Sequence, residues 1–464
     1  MGAGSEMLVI ANATISAGNG NDTSKVHLVI DGEAIRDILP ATSRLPKGGL
    51  RIDASGLLVL PGALDPHVHF DTPGYTERED FTRGSMSAAA GGVTTVIDMP
   101  DTSVPPVTDR ASLMAKLKAI GDMSVIDFAL WGGMSGNELR STGWRAHLRG
   151  LKLEGVVGIK CYLLSGMRSF EHLLPLELVE VMRRAHELGI VVGLHAEDRD
   201  LVGRRTAGLQ TLGRQDAKAY YEARCEPAEQ DGVRQGVAVS AETGCQLHVV
   251  HVGSLRAAEI AVEARRAGAD ITIETCPHFL AFSHEDLQAR GSILKTAPVL
   301  KTREDSAGLW RMLADGGVDF VASDHAPCPP REKETGSIWT DYNGISGTET
   351  LFPYIFSEGY RKGRITLARL VEVTSSAAAR RYGLYPRKGA IAADTDADLV
   401  FVDPDRKWRV EGSAFGSKGK LTPFEGQEFT GKVVRTICRG TVVYEEGKGV
   451  VAQPGFGRFL RRGA

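Results

Sequence analysis

The stretch Pro61-Gly-Ala-Leu-Asp-Pro-His-Val-His-Phe70 decides how the rest of the chain is read. It ends an apolar run with two histidines, His67 and His69, two residues apart. Side chains repeat every two residues along a strand, so both imidazoles leave on one face. Neutral imidazole is the commonest protein metal ligand, and a paired edge of this kind suits zinc or a similar divalent ion. His-x-His also arises by chance, so the spacing carries weight only where other ligands converge on it.

On the amino-terminal side, residues 7–60 hold short alternating runs at 7–15, 25–30, 34–39 and 57–60, punctuated by Gly, Asn and Asp. That pattern is antiparallel sheet. From residue 61 to about 385 the pattern changes. Apolar β-branched runs at 63–69, 93–98, 126–131, 156–161, 190–195, 247–251, 271–275 and 319–324 alternate with amphipathic stretches. Helices are expected at 111–120, 175–188, 227–242, 255–267 and 303–314. Eight buried strands, most followed by a helix, make the count that closes a parallel (β/α)8 TIM barrel. Past Pro386 the chain returns to strand patterns at 397–402, 433–438 and 441–444. The expectation is an α/β protein: a barrel domain over 61–385, with a small composite β-sandwich built from 7–60 and 386–464.

Composition narrows the partners. A net charge of −3 and a pI near 6.5 give no footprint for nucleic acid or a membrane surface. No apolar run reaches the roughly 18 residues that cross a bilayer. No charged n-region followed by an apolar h-region opens the chain, so no secretory signal is read; residues 1–5 are set aside as preceding a start at Met7. The six cysteines (Cys161, Cys225, Cys245, Cys276, Cys328 and Cys438) lack CxxC spacing. They read as reduced thiols in a cytoplasmic protein.

The chemistry lies in what ends each barrel strand. The first ends on His67 and His69, the fourth on Lys160, the fifth on His195, the sixth on His251 and the eighth on Asp324. Barrel enzymes place their reacting groups at these carboxyl ends. Lys160 is the unusual member, because an ammonium beside a divalent ion is repelled and burial lowers its pKa. A neutral lysine amine takes up carbon dioxide to give an anionic carbamate able to bridge two metals. In this reading His67 and His69 serve one ion, His195 and His251 the other. Asp324 binds the first ion and accepts the proton of the attacking water. The chemistry is hydrolysis at a carbonyl. Of the other histidines, His248 is expected to pack outward, and His147, His172, His186 and His284 to be surface or core residues. His27 belongs to the terminal sheet, and His278 and His325 support the ligands from behind. Cys161 and Cys328 read as small packing residues.

With these residues in place, the chain resembles the cyclic amidohydrolases: allantoinases, hydantoinases and dihydroorotases. The likeness covers essentially all of it. It is carried in order by 61–69, Ala88-Ala-Ala-Gly-Gly-Val-Thr-Thr95, Gly158-Ile-Lys160, His195-Ala-Glu197, His251-Val and Ser323-Asp-His325. The resemblance implies two zinc ions, N6-carboxylysine at Lys160 and a homo-oligomer, commonly a tetramer. It also implies a loop, Asn343-Gly-Ile-Ser-Gly347, in which Asn343 and Gly344 meet the ring amide of a small cyclic substrate. Dihydroorotases hold a substrate carboxylate with an Arg where this chain has Asp71. D-selective hydantoinases carry a Tyr where this chain has Ser165, which then faces the substrate. Lys160-Cys-Tyr162, Glu274-Thr-Cys-Pro-His-Phe279, the run 323–330 and Pro423-Phe-Glu-Gly426 look most like allantoinases, although Asp71-Thr72 and Gln427 depart from their pattern. The runs 125–130 and 455–459 also resemble L-selective hydantoinases. The expected activity is therefore opening of allantoin to allantoate, with ring opening of 5-substituted hydantoins as the alternative. A non-catalytic scaffold homologue would typically lack several ligands, and all six are present.

Overall fold

The computed structural model describes residues 7–463; residues 1–6 and 464, and with them the ends set aside or assigned above, lie outside the described residues. Two kinds of sheet organise the chain. Nine strands from the two ends pair in one sheet. Its seam is Leu58–Pro61, which runs antiparallel to the start of Leu399–Arg409, with Leu58 opposite Val402 and Pro61 opposite Leu399. Alternation explains the strands here: in Glu428–Cys438, Phe429, Gly431 and Val433 are buried while Thr430 and Lys432 are half-exposed. The hairpin that follows turns on Arg439 and Gly440, with φ of 45° and 70°. Positive φ at both loop residues matches the twist of the flanking strands. Val9, Leu28, Ile30, Val59, Leu399 and Phe401 are among the residues buried in this region.

The middle of the chain supplies eight parallel strands. In order they are Ala63–Val68, Val93–Asp98, Asp127–Leu130 (continued by Gly132–Gly133), Gly158–Tyr162, Val191–His195, Leu247–Val249, Ile271–Thr275 and Phe320–Val321. Each pairs with the next, the first pair with shifts of register along its length. The third and fourth are joined through the Val157 amide, which donates to Leu130 O at 3.0 Å. The first and eighth meet where His69 N donates to His325 O at 2.8 Å. Nearly every residue of these strands is buried, as their continuous apolar sequences require.

The connecting helices start and stop where their caps dictate. Asp109, Ser254 and Thr302 accept from backbone amides at the starts of Arg110–Ile120, Leu255–Arg266 and Arg303–Asp315. Gly189, Gly244 and Gly316 end their helices in the left-handed region. Between the strands, Leu64, Ile97, Ala129, Trp131, Val191 and Phe320 form a core closed by Tyr382. Trp131 needs room made by glycine: a Cβ at Gly158 would sit 2.3 Å from its ring. The candidate ligands lie at or close to the carboxyl ends of the strands.

Candidate metal centre

His67, His69 and Asp324 come together as a ligand set, with one donor atom from each lying within 4.8 Å of the others. Both histidine Nε2 atoms are 3.3 Å from Asp324 Oδ1. A second pair faces them: His195 Nδ1 and His251 Nε2 approach to 3.0 Å. The rings of His67 and His251 are 5.4 Å apart, so the two groups adjoin. Three residues here hold left-handed backbone: Asp71 (φ 51°), His251 (φ 40°) and Asp324 (φ 48°). Such conformations cost energy for residues other than glycine and concentrate where geometry serves function.

Lys160 is fully buried, and its Nζ has no hydrogen-bond partner. Burial pulls its pKa down, against the pull of Asp101, Asp324 and Glu274. A buried amine with no partner, held toward its neutral form beside four imidazoles and a carboxylate, has the chemistry that carbamate formation requires. Burial also lowers His67, to about 4, with the charge of Lys160 adding to the effect. His195 and His251 are lowered too, both chiefly by burial. Neutral imidazoles of this kind offer lone pairs to a cation. His69 differs: burial pulls it down, but Asp101, Asp324 and Asp71 overcome that and raise it to about 9. Asp324 is pushed up by burial but held well below the usual carboxylate range by His67, His69 and His251.

The imidazoles are aimed from behind. His67 Nδ1 lies 2.7 Å from Glu274 Oε1, which also accepts from His251 N at 3.2 Å. His195 Nε2 lies 2.8 Å from Glu197, and Glu197 is ion-paired with Arg224. With these carboxylates on Nδ1 of His67 and Nε2 of His195, the opposite ring nitrogens face Asp324 and His251, where an ion would be shared. Tyr162 stacks on His195 with centroids 5.0 Å apart and donates to Asp101 Oδ2 at 3.0 Å. The donor set therefore fits divalent metal on its own geometry.

A cavity of about 350 Å³ opens over this centre. Asp101, Thr102, Ser165, Arg224, Asn343 and Gly344 line it beside the histidines. Ser165 reaches the cavity wall, but its hydroxyl donates to Phe170 O at 2.7 Å and accepts from Met167 N at 3.1 Å. Asn343 Oδ1 accepts from Tyr220 OH at 2.8 Å. The His325 ring contacts the loop and not a ligand side chain, accepting from Gly347 N at 3.1 Å while its other nitrogen lies 3.2 Å from Glu79. Cys161 and Cys328 are buried and free, and burial raises both thiols, Cys328 to about 11. Neither is poised as a nucleophile.

One expectation fails. His248 does not pack outward: it is fully buried, stacked on Phe320 at 5.0 Å, with Nε2 3.1 Å from Glu274 Oε2. Strand parity places it opposite His251, but the strand ends at Val249 and the left-handed turn at His251 resets the parity. Glu274, Glu197, Asp101 and Arg224 had no assigned role in the sequence. Glu274 is a buried charge next to the end of the strand Ile271–Thr275, and that signal could have found it.

Buried imidazoles, a carboxylate and a lysine gathered at the carboxyl ends of parallel strands define a metal-dependent hydrolase type of site. The chain belongs to the amidohydrolase family, whose model matches residues 58–443. It is 40% identical over 422 residues to an allantoinase of Rubrobacter xylanophilus, covering 89% of this chain and 90% of that one. An allantoinase of Solibacter usitatus is 39% identical, covering 86% of each chain. Among solved structures, the L-hydantoinase (dihydropyrimidinase) from Arthrobacter aurescens superimposes with a TM-score of 0.93 at 32% identity, over 98% of this chain and 99% of that one.

Proposed function

We propose that this protein is a binuclear metal hydrolase that opens the five-membered ring of allantoin to allantoate by cleaving a cyclic amide C–N bond. The observation that carries the mechanism is Lys160, a buried amine without a partner among imidazoles from three strands. The allantoin assignment is supported by the identity to allantoinases over most of the chain. Lys160 adds its nitrogen to the carbon of carbon dioxide and releases a proton, giving an anionic carbamate. His67, His69 and Asp324 would hold one ion and His195 and His251 the other, with the carbamate shared. When bound, such ions, most simply zinc, supply a Lewis acid for the ring carbonyl and a hydroxide at neutral pH. Asp324 takes the proton of the attacking water and passes it to the departing ring nitrogen. Asn343 and Gly344 orient the ring amide, and Ser165 forms part of the wall.

In this reading the eight parallel strands close as one (β/α)8 barrel over 61–385. The strands of 7–60 and 386–464 form a β-sandwich domain beside it. The protein is a homotetramer, and a cytoplasmic location is in keeping with its six free buried cysteines. None of the described helices is long and apolar enough to cross a membrane.

Allantoin, hydantoin, a 5-substituted hydantoin and dihydrouracil, offered to zinc- and bicarbonate-supplemented protein, test the substrate. Opening of allantoin in preference to the others is expected. Turnover of substituted hydantoins with allantoin untouched would replace the substrate and leave the site reading standing.

A further inference from the structure

Two buried lysines beside the cavity take no part in the chemistry above. Lys333 is 8% exposed and Lys295 1%. No carboxylate lies in ion-pair contact with either among the described residues; their hydrogen-bond partners are main-chain carbonyls. Lys333 Nζ donates to Tyr342 O at 2.9 Å and to Gly344 O at 2.6 Å, the carbonyls on either side of Asn343. It also lies 3.5 Å from Lys295 O, which accepts from Gly344 N at 3.0 Å. Lys295 Nζ in turn donates to Asp341 O. The Asp341 carboxylate is occupied elsewhere, by Ser292 and Thr335.

Both carbonyls that flank Asn343 therefore turn inward onto one ammonium. Gly344 makes this possible: its φ is 148°, and a Cβ there would sit 2.2 Å from Ala326 O. A buried ammonium is costly to hold without an ion partner, and it remains here because several carbonyls satisfy it together. Burial pushes Lys333 down to about 8 and Lys295 down to about 7. Cys328 and Asp341 act on Lys333, and Lys333, Arg224 and Asp341 act on Lys295.

We propose that Lys333 is a positioning residue: it clamps the Tyr342 and Gly344 carbonyls and so presents Asn343 to the ring amide of the substrate. Lys295 braces the same loop from the other side. The inference rests on the reading that Asn343 meets the substrate.

The test uses the full-length, metal-loaded enzyme and its Lys333→Met and Lys333→Arg variants. KM and kcat for allantoin are measured from pH 6.5 to about 9.5, with metal content and amide hydrogen exchange at 341–345. Lys333→Met is expected to raise KM about tenfold or more with metal content unchanged, to speed exchange at 341–345, and to be partly rescued in Lys333→Arg. Wild-type KM is expected to climb toward the Met value as pH rises through about 8, and the variants are not. Unchanged KM and exchange in metal-loaded Lys333→Met would overturn the proposal. If Lys333→Met does not fold, a wild-type KM and a loop protection factor (exchange relative to the intrinsic rate at each pH) that stay flat across this range would overturn it equally. Should the wild type leave allantoin untouched, the substrate reading fails by itself, and loop exchange still decides the clamp.

Discussion

Replacing Glu274 with Gln should weaken metal binding without emptying the fold. The carboxylate is fully buried and lies 2.7 Å from His67 Nδ1, while its other oxygen is 3.1 Å from His248. Gln keeps the volume and one carbonyl acceptor but removes the charge. A hydrogen bond to an ionised group contributes about 1.5–3 kcal/mol, roughly twice its neutral counterpart. The substitution therefore removes about 1–1.5 kcal/mol from the contact that orients His67 and raises its basicity. At about 1.4 kcal/mol per factor of ten, that is nearly tenfold in affinity, the lower end of the 10–100-fold range for groups behind metal ligands. Competition between the stripped protein and a chelating dye would measure it, with the melting temperature recorded on the same samples. Zinc affinity within twofold of wild type would refute the claim that Glu274 orients His67.

Asp324→Ala should keep most of its metal while losing about 10²–10⁴ in kcat, the usual worth of a general base; an active variant, assayed at matched metal content, would remove Asp324 from that role. Lys160→Ala should retain at most one ion per chain by elemental analysis and regain some activity with an added short carboxylic acid; two tightly held ions without that addition would contradict a carbamate bridge. Burial would raise the Glu197 carboxyl, but Arg224 and His195 overcome it and bring the group down to about 2. The stabilisation this provides is complete above pH 4.5, the ordinary value, and is lost as pH falls toward about 2. It amounts to about 3 kcal/mol. Urea unfolding of metal-free protein across that window should show the loss in wild type and a smaller one in Arg224→Met; parallel pH profiles would contradict it.

Much of this was legible in the sequence because strands and ligands share a simple rule. The runs at 93–98 and 271–275 match strands residue for residue, and the helix expected at 175–188 runs Pro175–Leu188. Lys160, His195 and His251 were visible because each ends or closely follows an apolar run, and parallel strands carry such ends to one face. What strand parity does not encode is backbone that leaves the strand. The positive φ at His251 turns that residue to the same side as His248, and only the fold reveals it. The supporting carboxylates were hidden for a different reason. Glu274 meets His67 across 207 residues of sequence, so no local spacing marks the pair. Arg224 likewise reaches Glu197 from the end of a separate short helix. The loop at 343–347 was legible as a segment, but not the lysines that hold its start, because a lysine bound by carbonyls has no motif.

A carbamate-bridged pair of ions is tested by loading the protein with zinc and ¹³C-bicarbonate, then measuring metal per chain and the carbonyl carbon spectrum on one sample that opens allantoin. Two ions per chain and a carbamate resonance that is absent from Lys160→Ala are expected. An active wild-type enzyme with a single ion and no carbamate signal would contradict the bridge.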